Sequence, residues 1–260
     1  MIRNLLLTGG PGPDHDFGAS SCALAEALRG SSADAGPKIG TTIVSDPRIA
    51  FEMLAEAMRT EDGFDLFTVN ALRWQMDADR YAAQRDDFAY ALQPHDLDGV
   101  EALLQRGGGL VVVHTAVICF DGDLRWQRIV GATWNWSRSS HPSRCALRVT
   151  PTNAAHPITN GIDAFQVDDE LYQYLDVESG AVPLLQANVV GVEGLVQPAP
   201  VLWARPYGAG RVVTHLLGHD AESIAHAQHR RVLRRSALWA IGATKYESTG
   251  PDTAWKSEVL

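Results

Sequence analysis

The sequence is poor in the residues that build covalent or thiolate chemistry. Only three cysteines occur in 260 residues, Cys22, Cys119 and Cys145. They are odd in number and form no Cys-x-x-Cys pair. That argues against a disulfide framework or a thiolate zinc site and points to reduced thiols in a cytoplasmic protein. Long hydrophobic runs are missing as well. No segment approaches the roughly 20 apolar residues of a membrane span. The three-leucine run in "MIRNLLLTGG" is too short for a signal-peptide core. Positive charge is scarce: 22 lysines and arginines stand against 31 aspartates and glutamates, a net charge of −9. The densest basic run, Arg230-Arg231 with Arg234-Arg235, repeats at helical spacing and reads as a solvated helix face. Nucleic acid and anionic membrane are therefore not expected partners. Repeats and low-complexity linkers are absent too. The expected organisation is one domain over 1–260, closing in a polar tail at 243–260, with a homo-oligomer left open.

What the chain does contain is an alternation of short apolar runs with helical patterns. "NLLLTG" (4–9), "GTTIVSD" (40–46), "FDLFTVNAL" (64–72) and "LVVVH" (110–114) read as strands. Between them, helices are expected over 19–29, with Cys22, Ala25 and Leu28 on one face and Gly30 as the stop, and from Pro47 onward. A charged stretch containing Trp and Tyr (73–95) precedes another helix, with Val100, Leu103 and Leu104 on one face. Uniformly apolar strands alternating with helices predict an α/β fold with a parallel sheet covered on both faces. The second half is less regular. "CALRVTP" (145–151), "FQV" (165–167), "ELYQYL" (170–175) and "VPLLQANVV" (182–190) predict additional antiparallel strands. "APVLWARPYGAGRVVTHLLGHD" (199–220) predicts a hairpin, and a long helix is expected over 221–241.

In an open parallel sheet, ligands bind beyond the carboxyl ends of the strands. Three histidines fall there: His15 after the first strand, His114 closing the fourth, and His219 after "RVVTHLLG". Each has a polar neighbour: Asp14 and Asp16, Thr115, and Asp220. An imidazole ending a buried strand needs a partner to offset its desolvation, which favours a functional His114. Asp220 doubles as a helix N-cap. His215 alternates inside its strand and reads as a satisfied core histidine, while His95, His226 and His229 read as helix-surface residues.

A second cluster is "QVDDELYQY" (166–174), with Asp168, Asp169 and Glu170 followed by Tyr172 and Tyr174. As a strand it puts Glu170, Tyr172 and Tyr174 on one face, equipment for acid–base work on a hydroxylated substrate. Equally, it is an acidic turn followed by an edge strand with aromatic packing. The loop "ATWNWSRSSHP" (132–142) adds Trp134, Trp136 and His141, whose rings suit sugar C–H surfaces or simply plug a loop. Imidazole with carboxylate suits zinc or iron. No His-x-x-x-His or His-x-His spacing supports it, so a divalent metal is the lesser reading and the cofactor stays open.

With these segments in view, the chain resembles the trehalose-utilisation (ThuA-like) family, within the class I glutamine amidotransferase-like superfamily. The motifs are "HDF" (15–17), "GGGLVVVH" (107–114), "SSHP" (139–142), "HPITNGI" (156–162), "DDELYQY" (168–174) and "ARPYGAGRVVTHLLGHD" (204–220). The resemblance implies a flavodoxin-like core. It also implies that His114 stands where glutaminases of the superfamily put cysteine, and that His15, His141, Glu170, Tyr172, Arg205, Gly208, Gly210, Arg211, His219 and Asp220 surround the pocket. The elbow consensus Gly-x-nucleophile-x-Gly becomes Val112-Val113-His114-Thr115-Ala116, so neither nucleophile nor flanking glycine remains, and glutamine hydrolysis is not expected.

The expected function is carbohydrate metabolism, with a keto-disaccharide or related sugar as substrate. His114, Glu170 and His219 would be the catalytic groups, and His15, His141, Tyr172, Arg205 and Asp220 would contact substrate. The alternatives are a non-catalytic sugar-binding or accessory subunit, and a hydrolase using Cys119 or Cys22.

Overall fold

The computed structural model describes residues 1–12, 14–31, 36–57, 63–152, 155–191 and 197–243. Beyond residue 243 the expected polar tail lies outside the described residues. The first half runs β1 (Ile2–Gly9), α1 (Phe17–Arg29), β2 (Ile39–Val44), α2 (Pro47–Ala57), β3 (Leu66–Ala71), α3 (Ala82–Phe88), α4 (Asp98–Gln105) and β4 (Gly109–Val113). Then come α5 (Leu124–Val130), β5 (Ala132–Thr133), β6 (Cys145–Pro151), β7 (Phe165–Asp169), β8 (Asp176–Val177) and β9 (Val182–Val189). The hairpin β10 (Ala199–Tyr207) and β11 (Gly210–His215) leads to α6 (Ala221–Ala225) and α7 (Ala227–Ala240).

Nine strands form one sheet in the order β2-β1-β3-β4-β11-β10-β9-β6-β7. From β2 to β11 every pairing is parallel. From β11 to β7 every pairing is antiparallel. This is the α/β architecture expected from the sequence, a parallel sheet flanked by helices with antiparallel strands added in the C-terminal half. The apolar strands split their side chains between two cores, because successive residues point to opposite faces. Leu6, Val111, Val113 and Val213 join the core that includes Leu24 and Leu28 of α1. Leu5, Leu7, Phe67, Leu110 and Val112 join the core with Phe51 of α2 and Leu103 of α4.

Helix α1 begins where its cap dictates: the Asp16 side chain accepts from Ala19 N at 2.9 Å, and Gly30, at φ 73°, stops it. Its buried face differs from the expected one. Ser20, Ser21, Leu24, Ala27 and Leu28 point inward, and Cys22 is exposed. The two serines can be buried because Asn70 Nδ2 donates to both and Thr8 Oγ1 lies 2.6 Å from Ser21 Oγ. Hydroxyls satisfied in this way carry no burial penalty, which a purely apolar periodicity overlooks.

The expected helix over 221–241 is broken at His226, whose ψ of 129° is not helical. Two side chains assigned to the surface turn inward with it. Arg234 is buried, and its guanidinium donates to the Leu28 and Pro37 carbonyls at 2.6 and 3.1 Å. His229 is fully buried, with its ring centroid 4.8 Å from that of His215. His229 Nδ1 donates to Ser223 O at 2.8 Å, whereas among the described residues neither His215 nitrogen has a hydrogen-bond partner. His215 is a core histidine, but not a satisfied one.

This pair has a consequence for acid stability. Burial, with His229 and His114 adding to it, holds His215 well below the ordinary imidazole range. Burial also lowers His229, with His226 and His114 adding and Asp169 and Ser223 opposing. Unfolded, both imidazoles protonate near pH 6.5. Below that pH the unfolded chain binds more protons, so stability falls as pH drops, at a limit of about 1.4 kcal/mol per pH unit per imidazole. Urea unfolding between about pH 7.5 and about pH 5 is expected to show a shallower loss in His215→Leu than in the wild type. Equal slopes in the two proteins would refute it.

Candidate active site

Four segments meet beyond the carboxyl ends of the parallel strands. His15 lies in the loop after β1, His114 directly follows β4, Glu170 directly follows β7, and His219 lies between β11 and α6. His114 closes its strand at φ 52°, in the left-handed region, and opens a short 3-10 turn over residues 114–117. Non-glycine residues hold that conformation at a cost on the order of 1–3 kcal/mol, and such strain concentrates at functional sites. The sharp strand-to-turn bend therefore survives without the glycines that usually permit it. The same φ turns the imidazole onto the Leu216 carbonyl, with Nδ1 2.8 Å from its oxygen. Nε2 thus faces the cluster, 3.3 Å from His15 Nε2 and 3.5 Å from Glu170 Oε2.

Glu170 is the hub. Its carboxylate lies 3.8 Å from His15 Nε2, 3.5 Å from His141 Nδ1 and 3.8 Å from His219 Nε2. Burial opposes its charge, but the imidazoles of His114 and His15, with His141, outweigh burial and hold its pKa well below the usual carboxylate range. Burial likewise opposes protonation of His114. There Glu170, Asp169 and the Leu216 carbonyl win and raise its pKa above the ordinary imidazole value. His15 goes the other way: burial, with His114 and His219 beside it, lowers its pKa against the pull of Glu170. Neighbouring imidazoles with pKa values driven apart provide a proton acceptor beside a donor.

Tyr172 is buried, with its ring centroid 4.9 Å from those of His114 and His141 and 5.3 Å from Trp134. Burial, then Glu170 and Asp169, push its hydroxyl pKa well up. Residues 170–175 do not form the strand that the alternation predicts. Ser140 and Gln173 form an isolated bridge, and Tyr174 adopts φ 59° with its side chain exposed. Glu170 and Tyr172 still reach the cluster, and Tyr174 does not. Asp220 caps α6, accepting from Ser223 N at 2.8 Å, and stands 3.4 Å from His219 Nδ1. Arg144 Nε, at 2.9 Å, fixes the same carboxylate.

Arg205 is not brought to the cluster. Its Nη1 donates to Arg128 O at 2.7 Å, and its guanidinium sits over the Tyr207 ring. In the register, Arg205 faces Val212 while Leu202 faces His215, so it lies near the far end of β11. The turn glycine Gly208 shares that end, at φ 59°. Cys119 sits neither in the cluster nor in a helix. Its thiol is buried between Ala71 O and Arg73 N, both at 3.2 Å, and burial pushes its pKa up to about 12.

One key residue was named in the sequence only as one of three consecutive acids. Asp169 is fully buried and accepts from Glu170 N and Gly218 N, each at 2.8 Å, and from the Ser223 hydroxyl. Its Oδ1 lies 3.8 Å from His114 Nδ1. It ties the Glu170 segment to the His219 segment. Gly218, at φ 126°, permits this approach, since a Cβ there would lie 2.8 Å from Val113 Cγ1. The available signal was the alternation of "FQVDD", which turns Phe165, Val167 and Asp169 inward.

A model of the ThuA family, described as trehalose utilisation, matches residues 82–240. The chain belongs to the ThuA family. The matched span holds His114, His141, Glu170, Tyr172, His219 and Asp220, and His15 lies before it. Among solved structures, a putative ThuA-like protein from Parabacteroides merdae is similar at 18% identity and a TM-score of 0.68, covering 93% of this chain and 90% of its own. A putative ThuA-like protein from Bacteroides uniformis is similar at 14% identity and a TM-score of 0.61, covering 92% and 91%. A cytoplasmic protein from Salmonella typhimurium is similar at 10% identity and a TM-score of 0.58, covering 92% and 99%. At these identities the likeness is one of fold. No curated protein matches the chain. Among the described residues, no helix is long and apolar enough to cross a membrane.

Proposed function

We propose that this ThuA-family chain processes a hydroxylated sugar, a keto-disaccharide or related glycoside, by proton transfer and without a covalent nucleophile. The observation that carries the reading is the His114 imidazole. It is buried, locked through Nδ1 on the Leu216 carbonyl, and presents Nε2 to Glu170. An imidazole held in this way, with its pKa raised, gives a proton to a substrate oxygen such as that of a ketone and takes it back. The adjacent carboxylate stabilises its charge. In this role His114, Glu170 and His219 are the catalytic groups. His15, His141 and Tyr172 form the wall that meets substrate, and Asp220 orients His219. Trp134 and the exposed Trp136, with ring centroids 6.3 Å apart, supply apolar faces for a second sugar ring. Covalent glutaminase chemistry has no support, because the buried Cys119 thiol stays protonated at neutral pH. A cytoplasmic location fits the free cysteines.

The test is product analysis after incubation with keto-disaccharides and with their parent sugars. Conversion of the keto form is expected. Sugar binding seen by calorimetry, with no conversion of either form, would replace the enzyme with a sugar-binding accessory subunit.

A further inference from the structure

We propose that His15, Glu170 and His219 bind a divalent first-row transition ion of the zinc type, with His114 beside it. Among the described residues, one ligand atom from each of these three lies within 4.8 Å of the others. The spacing suits such an ion. A tetrahedral centre with bonds of about 2.0–2.1 Å holds its ligand atoms roughly 3.3–3.4 Å apart. Here Glu170 Oε2 stands 3.8 Å from His15 Nε2, and Glu170 Oε1 stands 3.8 Å from His219 Nε2. Small rotations close the longer gaps.

Two further observations point to a ligand. Glu170 Oε2 is buried, on a side chain only 9% exposed, and among the described residues it has no hydrogen-bond partner, the nearest imidazole nitrogen being His114 Nε2 at 3.5 Å. An orphaned carboxylate oxygen among imidazole nitrogens is costly unless a cation meets it. Second, the His219 imidazole is oriented from behind. Asp220 Oδ2 stands 3.4 Å from His219 Nδ1 and is itself fixed by Arg144 Nε at 2.9 Å. Carboxylate or carbonyl partners behind the distal nitrogen are the usual outer shell of metal-binding histidines. The mixed nitrogen and oxygen set favours zinc, iron or manganese over magnesium or calcium, which take oxygen ligands. Two histidines and one carboxylate leave coordination positions open, as catalytic rather than structural sites do.

The site stands on this geometry alone and does not rest on the sugar reading. With an ion bound, His15, Glu170 and His219 become ligands, and His114 remains the proton-transfer group.

The experiment is calorimetric titration of chelator-stripped protein with zinc chloride, paired with cobalt(II) titration read by visible absorption. Saturable binding of one ion per chain is expected. Glu170→Gln and His219→Ala should each weaken it by at least about 100-fold, and Asp220→Asn by about 10–100-fold. His156→Ala, which alters an imidazole packed at a tilt against Trp239, ring centroids 4.8 Å apart, should bind as wild type. Circular dichroism confirms folding, and His15 and His219, both only partly buried, are the safer variants. The proposal is overturned if wild type shows no saturable zinc or cobalt binding. It is overturned equally if His15→Ala and His219→Ala, folded, bind like wild type. A chain that binds zinc yet converts no sugar defeats only the sugar reading, and one that converts sugar without binding any ion defeats only this one.

Discussion

Replacing His114 with asparagine is expected to lower kcat on the converted sugar by about 10²- to 10⁴-fold, the usual contribution of a positioned acid–base group. KM should change little. Asparagine is the informative choice because His114 sits at φ 52°. Asparagine tolerates the left-handed region better than most residues, whereas alanine would add backbone strain to the chemical loss. The variant removes the imidazole from beside Glu170 and keeps a polar side chain near the Leu216 carbonyl. Steady-state kinetics should be read with circular dichroism and thermal unfolding on the same preparation. A folded variant retaining wild-type kcat would end the proton-transfer assignment. A rise in KM alone would demote His114 to substrate binding.

Asp169→Ala is expected to cost about 3–5 kcal/mol of stability, the scale for removing one partner from a buried charged network. Three donors lose their acceptor at once: the backbone N–H groups of Glu170 and Gly218 and the Ser223 hydroxyl. None of these groups gains water in exchange, because the carboxylate is fully buried. Asp169→Asn keeps the shape but turns an amide N–H toward one of the donors, so a smaller loss of about 1–3 kcal/mol is expected. Urea unfolding at neutral pH measures both, and a loss below about 1 kcal/mol for alanine would contradict the network. Activity should fall further than stability alone predicts, since Asp169 ties the segments carrying Glu170 and His219.

Much of the fold was legible because its signals are local. Uniformly apolar runs such as "LVVV" become strands buried on both faces, and Gly30 and Asp220 mark helix ends through their own backbone and side-chain chemistry. The errors share one cause. Ser20, Ser21, Arg234 and His229 are buried because distant groups or packed neighbours accommodate them, and a linear pattern assigns such residues to the surface. The site divides the same way. His15, His114 and His219 were visible as histidines at strand ends. Glu170 and Tyr172 were visible as residue types, although the alternation that grouped them with Tyr174 fails after Asp169. Arg205 belonged to the matching motif but points toward Arg128.

The sequence by itself determined most element types of the first half, its parallel character and the family, because hydrophobic period, caps and ordered motifs are properties of neighbours in the chain. Tertiary structure alone decided that four imidazoles surround one carboxylate. Pairs such as His15 and His114 are separated by 99 residues. Their meeting depends on the β1-β3-β4-β11 strand order and on Asp169 linking two distant loops. Their pKa values follow from that meeting, since burial and charge act through space and not along the chain.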